Sequence, residues 1–129
     1  MRLKRLFFLS AAMLVAAGSH GFAQATKEPH VRVAEIEIDP AQLEAYTTAI
    51  KEQVESALRL ESGVLALYSV ADKENPSHVT VFEIYTDAAA YKAHLESAHF
   101  KKYKTTTQDM VKSLKLRETV PILLGVKRK

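Results

Sequence analysis

The chain has no cysteine and no tryptophan. Without thiols there can be no cysteine nucleophile, thiolate metal site, iron–sulfur cluster or disulfide. Stability must then come from packing or from association with another chain. Glycine is nearly as scarce: beyond residue 25 only Gly63 and Gly125 remain, so no glycine-rich phosphate loop is present. The apolar run from Leu6 to Ala17 is 12 residues long, well short of the ~20 needed to cross a bilayer. An excess of basic charge is missing too. The formal net charge of +3 comes from Arg2, Lys4 and Arg5, and the rest of the chain balances 15 basic against 15 acidic residues. That balance gives no support for nucleic-acid binding.

Those three basic residues precede the short apolar run, and Ala23-Gln24-Ala25 follows it as a small-x-small cleavage site. The pattern is that of a secretory signal peptide over residues 1–25, cut after Ala23 or Ala25. The expected product is a secreted or periplasmic protein that does not remain in the membrane. Residues 26–129 are enough for one small domain with one core.

Within that domain the periodicity alternates between strand and helix. Val31–Ile38 reads as a strand with Ala34, Ile36 and Ile38 on its inner face. Asp39-Pro40-Ala41-Gln42 is a helix start, with Asp39 as cap, Pro40 in the first position and Gln42 placed to complete a capping box. Leu43, Tyr46, Thr47, Ile50, Val54, Ala57 and Leu58 form its apolar stripe, and Ser62-Gly63 is expected to end it through a left-handed cap. Val64–Ala71 is apolar at both parities, so it should be covered on both faces. A turn at residues 72–77 leads into the strand His78–Tyr85, and Thr86-Asp87 then caps a second helix. Residues 101–115 are ambiguous, and Leu116–Val126 is expected to be the last strand, with Pro121 forcing an edge position or a bulge. The order βαββαβ is the ferredoxin-like arrangement of the α+β class. Its two helices cover one sheet face, and a second copy of the chain is the simplest cover for the other.

The densest grouping of titratable and aromatic side chains is HVTVFEIYTDAAAYKAHLESAHF, from His78 to Phe100. Phe82-Glu83-x-Tyr85-x-Asp87, then His94, then Ser97-x-His99-Phe100 resembles the antibiotic biosynthesis monooxygenase family and its quinol monooxygenase-like members. The resemblance runs from about Val31 to Leu124. It implies a dimeric α+β barrel and the oxygenation of a quinol or other electron-rich aromatic by O2, with no cofactor. The related haem-degrading monooxygenases use an Asn on the first strand and a Trp/His pair on the second helix. Here the first strand, VRVAEIEI, has no Asn and the chain has no Trp.

His94 lies on the apolar stripe with Tyr91, Leu95 and Ala98 and is the candidate base or proton shuttle. A core histidine satisfied by a carbonyl is the plain alternative. Glu83 sits among Val79, Val81 and Tyr85 and is the candidate orienter of His94; a rim glutamate paired with lysine is its alternative. Tyr68, Phe82, Tyr85 and Tyr91 are the candidate substrate-binding wall. His99 follows His94 by five residues, about 140° around a continuous helix, so the two are not expected to share a metal, and no metal site is expected. Which face of the His78–Tyr85 strand meets the helices decides whether Glu83 or Phe82 joins the pocket. A non-catalytic, small-ligand-binding dimer of the same fold is the rival from another functional class.

Overall fold

The computed structural model describes residues 28–129; the expected signal peptide lies outside the described residues. Its elements are β1 (His30–Ile38), a 3-10 turn (Pro40–Gln42), α1 (Leu43–Leu60), β2 (Val64–Ala71), β3 (His78–Tyr85), α2 (Ala88–Glu96), α3 (Ala98–Thr107) and β4 (Val111–Glu118). The strands form one antiparallel sheet in the order β2-β3-β1-β4. This is the ferredoxin-like α+β fold.

Cross-strand partners share a face of the sheet, so register and burial together say which face the helices cover. Ala34 pairs with Val81 and Ile36 with Val79. All four are buried with Ile38, Tyr46 and Ile50 in the main core. A second cluster of Ala57, Val64, Leu67 and Tyr85 adjoins it, and Val54 touches both. The helix-covered face of β3 is therefore that of Val79, Val81, Glu83 and Tyr85. Phe82 faces the other way, opposite Tyr68 of β2.

The entry to α1 follows the sequence closely. Asp39 Oδ1 accepts the Ala41 amide at 3.0 Å, and Pro40 opens the turn. Gln42 does not complete a capping box; its side-chain amide donates to the Asp109 carbonyl at 3.3 Å. The exit from α1 differs from expectation. Among the described residues no glycine has positive φ; Glu61 ends the helix in an extended conformation, its amide bonded to the Ala57 carbonyl at 2.9 Å. Gly63 is needed for proximity instead: a Cβ there would stand 2.5 Å from Ala90 Cβ of α2.

Two further expectations give way. The helix after Asp87 is not continuous, because Ser97 adopts φ −66° and ψ 146°. Its hydroxyl donates to the His94 carbonyl at 2.6 Å and accepts the Phe100 amide at 3.3 Å, so one serine closes α2 and caps α3. The last strand is Val111–Glu118, not Leu116–Val126. Leu114 and Leu116 take the inner parity opposite Ile36 and Ala34, and pairing with β1 ends at Arg32–Glu118. Pro121, which has no amide hydrogen to donate, falls beyond the ladder.

β2 is an edge strand, and its doubly apolar pattern is only half covered: Val64 and Leu67 are buried, whereas Leu65, Tyr68 and Val70 are exposed. Among the described residues no helix is long and apolar enough to cross a membrane.

Gly63→Ala should lower stability by about 1–3 kcal/mol through overpacking against α2. Urea denaturation of the single variant and of Gly63→Ala combined with Ala90→Gly checks this. The second change should restore most of the loss, and an unchanged midpoint in the single variant would remove the close-approach argument.

Candidate active site

A cavity of about 230 Å³ lies between the covered sheet face and the helices. Most of its wall is apolar, built from Ile36, Val54, Leu67, Val81, Leu95 and Phe100. Arg32, Glu83, Tyr85 and Tyr91 supply one polar group, and Gln53 and His94 another.

The first group follows from strand alternation. Arg32 stands on β1 at the parity of Ala34 and Ile36 and is 6% exposed. Its Nε lies 3.1 Å from Glu118 Oε1, and its guanidinium lies 4.3 Å from the centre of the Tyr91 ring. Tyr91 stacks on His30 with ring centres 5.0 Å apart and meets the edge of Tyr85 at 5.3 Å. Glu83 faces Arg32 across the β1–β3 ladder. Burial pushes the Glu83 carboxyl up to about 6, and Arg32 opposes the rise only in part. The Tyr85 hydroxyl is buried next to it and interacts with its carboxylate. Burial, then the Glu83 carboxylate, hold that phenol well above its usual range.

The second group depends on the break at Ser97. His94 is 1% exposed and is bonded at both ring nitrogens. Its Nδ1 lies 2.7 Å from Glu61 Oε2, and its Nε2 lies 3.0 Å from Gln53 Nε2. An amide nitrogen only donates, so with Gln53 in this orientation His94 Nε2 accepts and Nδ1–H donates to the carboxylate. His99 Nε2 reaches the same Glu61 oxygen at 2.6 Å. The two histidines would diverge on one continuous helix; on two helices meeting at Ser97 they converge.

Of the residues singled out from sequence, His94, Glu83, Tyr85 and Tyr91 line this cavity and Tyr68 and Phe82 do not. Phe82 is on the helix-free face, and Tyr68, 57% exposed, borders a separate groove between α1 and β2. The carboxylate that holds His94 is Glu61, at the end of α1, where Glu83 was expected. Arg32, Gln53 and Glu61 were not singled out. The signals for two of them were present: a charge at the inner parity of β1, and a glutamine in the buried series Tyr46, Ile50, Gln53, Ala57. Glu61 carried none, because its partners lie 33 and 38 residues away.

The sequence profile described as "Antibiotic biosynthesis monooxygenase" matches residues 29–106. A comparison with curated proteins gave no match. Among solved structures, a "Putative antibiotic biosynthesis monooxygenase" from Bacteriodes thetaiotaomicron VPI-5482 is 52% identical, with a TM-score of 0.75 over 79% of this chain and 97% of that one. A "putative monooxygenase" from Lactobacillus acidophilus NCFM is 27% identical, with a TM-score of 0.68 over 71% of this chain and 44% of that one. A "Putative antibiotic biosynthesis monooxygenase" from Nitrosomonas europaea shares the fold at 20% identity, with a TM-score of 0.70 over 74% of this chain and 92% of that one. Together these similarities support a monooxygenase-like function, and the chain belongs to the antibiotic biosynthesis monooxygenase family.

Proposed function

We propose that the protein oxygenates a small quinol or related electron-rich phenol with O2, and that no metal, flavin or haem takes part. The observation that supports this most is the cavity itself, where His94, Glu83, Tyr85 and Arg32 line one mostly apolar wall. A hydroquinone can act as its own reductant. One oxygen atom of O2 enters the ring and the other leaves as water, with all four electrons drawn from the substrate as it becomes a hydroxyquinone. What the protein must supply is removal of a phenolic proton, which makes the ring a better electron donor, and exclusion of bulk water.

In this reading His94 Nε2 takes the proton when a substrate hydroxyl replaces Gln53, and the Glu61 carboxylate on Nδ1 stabilises the imidazolium that results. Arg32 and the Tyr85 hydroxyl hold a substrate oxygen, with Glu83, which interacts with that hydroxyl, tuning the charge beside them. On the strength of the leader, we place the mature chain in the periplasm or outside the cell. We propose further that it is a homodimer through its helix-free sheet face, where Tyr68, Val70 and Phe82 are exposed.

At pH 7.5, His94→Ala should lower hydroquinone oxidation by about 10²–10⁴-fold while the protein stays folded. Oxygen uptake and circular dichroism check this. Wild-type turnover by the variant, or none by the native protein, would turn the cavity into a ligand-binding site.

Glu83 generates a separate expectation. A carboxyl raised in the folded state adds stability below its unfolded pKa of 4.5 and loses it as pH rises through about 6. Between those limits the stability of Glu83→Gln relative to wild type should rise by roughly 2 kcal/mol. Urea titrations at pH 4.5 and 7.5 measure the difference, and a pH-independent gap would show that Glu83 ionises normally.

Sedimentation equilibrium at micromolar concentration should give a dimer, and Phe82→Asp should give a folded monomer. A wild-type monomer would mean that the apolar sheet face has some other cover.

A further inference from the structure

We propose that Glu61, His94 and His99 form a binding site for one divalent transition-metal ion of the zinc or iron class. The inference goes beyond the oxygenation proposed above, which routes no step through a metal.

Three separate elements bring the ligands together: the end of α1, the last turn of α2 and the first turn of α3. One donor atom from each, Glu61 Oε2, His94 Nδ1 and His99 Nε2, lies within 4.8 Å of the other two. Two imidazoles and one carboxylate are a donor set that suits zinc and non-haem iron, and three protein ligands leave a position for water. Both imidazoles now hydrogen-bond to one carboxylate oxygen, at 2.7 and 2.6 Å. Ligands 2.0–2.1 Å from a tetrahedral ion stand about 3.3 Å apart, so occupation requires the two imidazoles to draw back from the carboxylate oxygen by less than about 1 Å. The surroundings can give that room, because the side chains of His99 and Glu61 are 13% and 15% exposed and stand at helix ends.

The next layer of residues fits as well. A metal on His94 Nδ1 leaves the ring hydrogen on Nε2, where it needs an acceptor. Gln53 is the neighbour at 3.0 Å, and turning its amide by 180° presents the oxygen in place of the nitrogen. Metal binding thus selects the tautomer opposite to the one that proton abstraction needs. An ion at this site should switch off His94 as a base, so the consequence for activity rests on the proposed role of His94, whereas binding itself does not.

The test is titration of the full mature protein with Co2+, followed by visible ligand-field absorption, and with Zn2+, followed by calorimetry. One ion per chain is expected. Glu61→Gln, which preserves shape, and His99→Ala, at the more exposed ligand, should each weaken binding by more than about 10-fold, and Gln53→Ala by about 10–100-fold. His78→Ala, at the start of β3, should leave binding unchanged and controls for incidental histidine contacts. Circular dichroism on each variant reports that it is folded. No saturable binding, or binding that survives both Glu61→Gln and His99→Ala, would overturn the site and leave the cluster as a hydrogen-bonded clamp. Oxygen uptake with hydroquinone under the same Zn2+ titration separates the two proposals. Binding with loss of activity supports both, and binding without loss keeps the metal site but removes His94 as the base.

Discussion

Glu61 Oε2 accepts hydrogen bonds from His94 and His99, and through that one oxygen the ends of three helices are held together. Hydrogen bonds to a carboxylate are worth roughly 1.5–3 kcal/mol each, about twice a neutral pair, and burial strengthens them further. The arrangement imposes conditions on its surroundings. Ser97 must interrupt the helix so that the second imidazole can turn back toward the first. Two residues after Glu61, Gly63 must lack a side chain so that Ala90 of α2 can come close. The loop after α1 and the break between α2 and α3 therefore serve one geometry.

The cavity owes its chemistry to an uneven distribution of polar groups. His94 and Gln53 stand on the helices; Arg32, Glu83 and Tyr85 stand on the sheet. Between them the wall is aliphatic and aromatic, which keeps the local dielectric low and makes each charge expensive. Glu83 shows the effect directly, its carboxyl lifted to about 6 despite Arg32 nearby. A group in that state is sensitive to whatever charge enters the cavity, as a phenolate would.

The two faces of the sheet differ in what they carry. The covered face carries the core and the cavity. The uncovered face carries Tyr68, Val70 and Phe82, with Glu35 and Arg117 paired across β1 and β4. Because strand side chains alternate, neighbouring residues such as Phe82 and Glu83 stand on opposite faces.

Local pattern alone determined most of the architecture: the order of elements, the start of α1 at Asp39-Pro40, the inner parity of β1, and the concentration of titratable groups between His78 and Phe100. Those features depend on neighbours a few residues apart, where periodicity and capping chemistry act. Periodicity says which residues share a face but not which face will be covered, so the separation of Glu83 from Phe82 had to await the helices. The end of the sheet at Glu118 was set by pairing with Arg32, far away in the chain. The break at Ser97 had a local signal, a serine able to cap, but its consequence was not local. Only the tertiary structure brought Glu61 to His94 and His99, because a hydrogen bond across more than thirty residues is fixed by how three helices pack and leaves no spacing in the sequence to read.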